Sequence, residues 1–262
     1  MNSFDAFDGT RIAYQEWEPE TSREPAAPPV VLHHGFIANA NLNWVRPGVV
    51  DALIRAGRRV VAIDARGHGA SGKPHNSSFY GEDKMVRDVR QLFDLIGAER
   101  VDLAGYSMGA VVSLLTASED ARVRRLVVGG IGASVIAPGG IARGGVGREA
   151  IAAALEASDP ATISGPIAGR FRALADLVGG DLVALAAHAR AASMSAQPIT
   201  FSRISAPTLV IVGREDPIAT HPEVLAEAIP HAELRLIPGD HLLAVSNPEF
   251  APAIVDFLGR DL

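Results

Sequence analysis

Short aliphatic runs recur along this chain, each separated from the next by a helix-length segment, and this alternation constrains the fold more than any other feature. Val30-Val-Leu-His33 and Val60-Val-Ala-Ile63 are compact and almost wholly aliphatic, and Val101 to Ala104 and Val123 to Val128 are mainly so, interrupted by Asp102 and by Arg124-Arg125, as expected of strands covered on both faces. Between them the spacing predicts helices over Val49 to Ala56, stopped by Gly57, over Glu82 to Ile96, stopped by Gly97, and over Met108 to Ala117. The order resumes at Pro207 with a strand over Thr208 to Val212, a helix over His221 to Ile229, a strand over Glu233 to Ile237 and a closing helix over Pro248 to Leu258. Such alternation implies an α/β fold with a mostly parallel sheet and helices on both faces. Ahead of it, Phe4 to Phe7 and Arg11 to Trp17 flank Asp8-Gly9 and read as an antiparallel hairpin at a sheet edge, followed by a Pro-rich linker over Pro19 to Pro29.

The rhythm breaks after Val128, and more than seventy residues pass before it resumes. A compact domain seldom carries more than about 15 residues of structureless loop, so helices are expected here, over Arg148 to Leu155, Pro166 to Leu177 and Leu182 to Ala192. The insertion reads as a helical lid. Its first stretch, Gly129 to Gly147, holds eight glycines and reads either as a mobile hinge at an entrance or as a loop without a role.

Composition removes several classes of function. With no cysteine among 262 residues there is no disulfide, no thiolate metal ligand and no Cys nucleophile. The net charge is −6 and no basic run is interleaved with aromatics, so a nucleic-acid partner is not expected. The acidic stretch Met1 to Asp8 does not resemble a secretory leader. The uncharged stretch Leu126 to Ala142, broken by five glycines and Pro138, is too short for the ~20 apolar residues of a membrane span. The expectation is a cytoplasmic protein acting on a small molecule, with no membrane partner.

Gly105-Tyr-Ser107-Met-Gly109 falls between a strand and a helix, the context in which a G-x-S-x-G motif carries chemistry. There the serine sits on a tight turn that pushes its hydroxyl out of the sheet, and a Cβ at either glycine would collide with neighbouring backbone. Without partners, Ser107 would read as a helix N-cap. A neutral serine needs a base oriented by an acid, which on such a scaffold follow in the order acid, then histidine. His241 lies after the last strand, at the same sheet edge as Ser107, whereas His221 and His231 read as surface residues. Asp216, after the strand ending at Val212, is the chosen acid, and its neighbour Glu215 reads as a solvated charge. An oxyanion requires two donors. The backbone N–H groups of Met108, after the nucleophile, and Phe36, in His34-Gly35-Phe36, are the candidates. His34 reads mainly as a brace for that loop.

Other motifs carry less. Gly67-His-Gly69-Ala-Ser-Gly72 fits a dinucleotide fingerprint, but Lys73-Pro74 prevents the helix that would face a pyrophosphate, so no cofactor is expected. His33 and His34 face opposite ways on a strand end, and no other metal-ligand spacing occurs, so no metal is expected. His188, flanked by alanines, reads as a satisfied or exposed histidine.

Together, His34-Gly35-Phe36, Asp64-Ala-Arg-Gly-His-Gly69, Gly105-Tyr-Ser-Met-Gly109, Gly213-Arg-Glu-Asp216 and Gly239-Asp-His241 resemble, in order, the motifs of the α/β-hydrolase superfamily. The resemblance implies an eight-stranded sheet, a core over 1–132 and 204–262, a lid over 133–203 after the sixth strand, and a Ser107, His241, Asp216 triad. A serine at the elbow speaks against the superfamily members that use aspartate there, the haloalkane dehalogenases and epoxide hydrolases. The elbow is similar to those of esterases, carbon-carbon bond hydrolases and cofactor-free haloperoxidases alike. The leading expectation is cleavage of a small carboxylic ester or lactone. Carbon-carbon hydrolysis, perhydrolysis and a slow-turnover receptor are the alternatives. Trp44, Tyr106 and Phe171 are expected to line the pocket.

Overall fold

The structure, a computed structural model, describes residues 1–19, 27–136, 147–191 and 199–260. Eight strands form one sheet: β1 (Asn2–Asp5), β2 (Arg11–Trp17), β3 (Val30–His33), β4 (Val60–Asp64), β5 (Val101–Tyr106), β6 (Val123–Gly129), β7 (Thr208–Gly213) and β8 (Ala232–Ile237). Their order is β1-β2-β4-β3-β5-β6-β7-β8. β2 runs antiparallel to both its neighbours, and every pairing from β4 to β8 is parallel. The opening hairpin is present, but its first strand ends at Asp5 rather than reaching Phe7. Ala6 already belongs to the turn, its N–H donating to Thr10 O and its carbonyl accepting from Gly9 N–H.

The strands divide their side chains between two apolar layers, as the period of two requires. Val31, Val61, Ile63 and Leu103 face one layer with α2 (Glu82–Leu95), α3 (Met108–Glu119) and a later helix (Pro222–Ala228). Val30, Leu32, Val60 and Ala104 face the other with α1 (Val49–Arg55) and the closing helix (Phe250–Leu258). Because β3 lies between β4 and β5, the chain direction across the sheet reverses at β3, and a crevice opens beyond the carboxyl ends of β3 and β5. Ligands of open α/β sheets bind at such a point.

Among the described residues, three α-helices occupy the inserted segment: α4 (Arg148–Glu156), α5 (Pro166–Leu177) and α6 (Leu182–Arg190). The remaining two helices are α7 (Pro222–Ala228) and α8 (Phe250–Leu258). α4 to α6 pack around Ala152, Leu155, Ala175, Leu185 and Ala186. Arg172 of α5 closes the end of α4 by donating to the carbonyls of Ala154, Leu155 and Ala157, which otherwise lack helical partners. Most of the glycine-rich stretch after Gly129 lies outside the described residues, as do residues 20–26 of the Pro-rich linker. Among the described residues no helix is long and apolar enough to cross a membrane.

Candidate active site

Ser107 occupies the turn from β5 into α3 with φ 53° and ψ −113°, a backbone region that a residue with a Cβ adopts only under strain. The flanking glycines make the turn possible. A Cβ on Gly105 would lie 2.1 Å from the Gly109 carbonyl oxygen, and one on Gly109 would lie 2.1 Å from that of His33. Ser107 N–H is held by Gly129 O at 2.8 Å, from the next strand.

Two loops from later in the chain reach this turn. His241, after β8, accepts the Ser107 hydroxyl at Nε2 over 3.0 Å and donates from Nδ1 to Asp216 Oδ2 over 2.7 Å. The other carboxylate oxygen of Asp216 accepts from the N–H groups of Ile218 at 2.8 Å and Ala219 at 3.1 Å, which fixes the acid and the imidazole tautomer together. Glu215 turns away, and instead of standing free in solvent its carboxylate accepts from Gly239 N–H at 2.7 Å. It braces the loop that carries His241.

On the other side of Ser107, Gly35 approaches so closely that a Cβ there would lie 3.3 Å from that of Ser107. Asn43 holds this loop by accepting from Gly35 N–H at 2.8 Å. His34 accepts from Ala65 N–H at Nε2 over 2.9 Å and donates from Nδ1 to Gly35 O over 2.8 Å, so it bridges the two loops beyond β3 and β4. Among the described residues, the N–H groups of Phe36 and Met108 have no hydrogen-bond acceptor, and both residues line the same cavity as Ser107.

A family model for the alpha/beta hydrolase fold matches residues 28–139. Among solved structures, a hydrolase from Pseudomonas aeruginosa PA01 is similar with 28% identity and a TM-score of 0.76, covering 98% of both chains. The chain has the α/β-hydrolase fold. An enol-lactonase from Burkholderia xenovorans LB400 is similar with 26% identity and a TM-score of 0.74, covering 99% of this chain and 100% of that one. Epoxide hydrolase A of Mycobacterium tuberculosis is 40% identical over 89 residues, 34% of this chain and 27% of that protein. The chain spans less than half the length of the curated relatives it matches first.

The cavity measures about 310 Å³ and lies between the sheet edge and the inserted helices. Phe171 lines it, as the sequence suggests, but two other residues expected there do not. Trp44 is fully buried on the opposite side of the sheet, stacked on Phe250 with 6.3 Å between ring centroids. Nothing in its sequence neighbourhood distinguishes the two faces. Tyr106 also turns inward, because successive side chains of β5 alternate, and its hydroxyl donates to His241 O at 2.8 Å. It therefore holds the loop that carries His241 from below, and burial, reinforced by Asp216, pushes its phenol well above the usual range.

The structure adds three residues that sequence reasoning did not single out for this site: Ile37, Glu82 and Arg148. It also moves His188, which is neither exposed nor fully satisfied. It lines the cavity, packs on Tyr80 at 4.9 Å, Phe36 at 5.1 Å and His68 at 5.2 Å between centroids, and leaves Nδ1 buried without a partner. Its position as the one polar side chain among the buried alanines of α6 was the available signal. Burial, helped by the charge of Arg148, pushes its imidazole down to about 3. His33 is likewise pushed down to about 3 by burial, and His34 and His68 lie below their ordinary values for the same reason. These four histidines are neutral at physiological pH and form a packed wall. The Gly67 to Gly72 segment is part of the same scaffold: Asp64 accepts from Ala40 and Ala70 N–H at 2.9 Å each, and Arg66 is paired with Asp88 at 2.8 Å.

Proposed function

We propose that this protein is a serine hydrolase that cleaves a small carboxylic ester or lactone through an acyl-serine intermediate. His241 takes the Ser107 proton as the oxygen attacks the carbonyl carbon, and the amides of Phe36 and Met108 hold the oxyanion. The imidazolium then protonates the departing alcohol. Water, deprotonated by the same imidazole, attacks the acyl-serine and releases the acid. Asp216 keeps the imidazole in the productive tautomer throughout.

The observation that carries this reading is the chain of contacts Asp216 to His241 to Ser107, at 2.7 and 3.0 Å, ending on a hydroxyl that opens into a cavity beside two unengaged amides. A serine that opened an epoxide would be left as an ether that water does not cleave, whereas a serine that attacks a carbonyl becomes an ester that water does cleave, which favours acyl over epoxide chemistry. The likeness to an enol-lactonase supports lactones alongside open esters. Turnover of a panel of p-nitrophenyl esters and small lactones tests it. The native protein is expected to turn over at least one member at a rate abolished by Ser107→Ala. Stoichiometric acylation without turnover would favour the slow receptor reading, and neither acylation nor turnover would overturn the proposal.

A further inference from the structure

Most of the cavity wall is apolar, but one stretch of it carries charge. Arg148, at the start of α4, donates from Nη1 to Ala191 O at 2.8 Å and from Nη2 to Glu82 Oε1 at 3.3 Å, and all three residues line the cavity that contains Ser107. One partner comes from the inserted helices and one from the core helix α2. A guanidinium has five N–H donors and a carboxylate about four acceptor sites, so Arg148 has donors beyond the two these bonds use and Glu82 has acceptor sites beyond the one that meets Arg148. We propose that Arg148 and Glu82 form a subsite for an uncharged hydrogen-bonding oxygen, a hydroxyl or carbonyl, carried on the acyl portion of the substrate. This rests on the acyl-serine reading. A carboxylate on the substrate would lie beside Glu82 and an ammonium beside Arg148, so either charge meets its like in a mostly apolar cavity. A hydroxyl gains both an acceptor and a donor. A site built this way rejects the analogue lacking the polar group more strongly than a greasy pocket rejects an extra methylene.

The test compares kcat/KM for p-nitrophenyl esters of matched acyl length ending in methyl, hydroxyl or carboxylate. The hydroxyl ester is expected to exceed both others at least tenfold, and Arg148→Met to reduce that preference below threefold while a small fluorophosphonate labels Ser107 at the native rate. Glu82→Gln, which keeps the shape and gives up the charge, should move the preference toward the carboxylate ester. A native preference for methyl or carboxylate, or an unchanged preference in Arg148→Met, overturns the subsite. Failure of the phosphonate to label Ser107 overturns the hydrolase reading instead. In that case the subsite is read from thermal shifts by the acyl-matched amides, where equal shifts for all three overturn it.

Ile37 carries a separate role. It has φ 69°, a conformation sterically disfavoured for a β-branched residue. Yet its side chain is 2% exposed, buried in the apolar cluster of α4, α5 and α6. Next to it, Phe36 packs on Phe171 of α5 and His188 of α6. We infer that the inserted helices hold the Phe36 amide toward Ser107 by gripping Ile37, a positioning residue. Ile37→Val, which keeps the anchor, should retain kcat within threefold. Ile37→Gly, which removes anchor and strain together, should lower kcat at least tenfold with KM changed less than threefold. Ile37→Ala provides the same reading should the glycine variant fail to fold. Unchanged kcat in both truncations, or a loss confined to KM, overturns it.

Discussion

The sheet and the inserted helices bury very different side chains. β3 to β7 bury Val, Leu and Ile on both faces, whereas the buried positions of α4 to α6 are largely alanine: Ala152, Ala154, Ala168, Ala175, Ala184 and Ala186 among them. Hydrophobic stabilisation scales with apolar area removed from water, so the alanine cluster supplies little by itself. It is completed by Ile37 and Phe36, lent by the loop after β3. The difference teaches where rigidity resides. Ser107, His241 and Asp216 hang from densely packed strands, while the loop that carries Phe36 and the cavity wall depend on a region with a thin core of its own, the kind that opens at low free-energy cost.

The largest effects should come from the sheet side. Ser107→Ala is expected to lower kcat by up to roughly a millionfold, because nucleophile and base act as a unit, with a melting temperature close to native. Asp216→Asn should cost about 10⁴-fold in kcat by favouring the wrong imidazole tautomer. Steady-state kinetics with circular dichroism checks both. Loss of activity accompanied by loss of fold would show that the edge is structural rather than chemical.

Acid should break the seam between the regions. The folded-state pKa values of His33, His34, His68 and His188 lie below that of an unfolded histidine, so the unfolded chain takes up protons first as pH falls. Their contribution is fully present above about pH 6.5 and is lost toward pH 3. For His33 and His188, each pushed down to about 3, the loss by pH 5 is roughly 2 kcal/mol apiece. Urea midpoints measured from pH 7.5 to 4.5 should fall steeply below pH 6.5, and His188→Leu should flatten that slope. A flat profile in the native protein contradicts the buried neutral cluster.

Lid and surface changes should be smaller. Phe171→Ala should shift the preferred acyl chain toward longer members, since one methylene in such a pocket is worth about 1 to 3 kcal/mol in kcat/KM. An unchanged chain-length profile would make Phe171 mere packing. Glu215→Gln should alter kcat only a few-fold, because an amide oxygen can still accept from Gly239 N–H. A loss near that of Asp216→Asn would move the acid to Glu215.

Much of this arrangement was legible in the sequence for physical reasons. Strands such as Val30–His33 are set by unbroken aliphatic runs, and Gly105 and Gly109 announce a turn that no Cβ allows. His241 and Asp216 could be chosen because chain order fixes which loops meet at one sheet edge. What stayed hidden depended on long-range packing. A positive φ at Ile37 is contrary to its side-chain preference and exists only because distant helices bury that side chain. The inward turn of Trp44 and Tyr106 depends on which sheet face each meets. The meeting of Arg148 with Glu82 joins residues 66 positions apart.

The central claim, that a sheet-anchored serine is the nucleophile, is tested most directly by treating the protein with a small fluorophosphonate and mapping the adduct by peptide mass spectrometry. One adduct per chain is expected on the peptide containing Ser107, absent in Ser107→Ala and strongly slowed in His241→Ala. An adduct elsewhere, or one that persists in Ser107→Ala, would contradict the account.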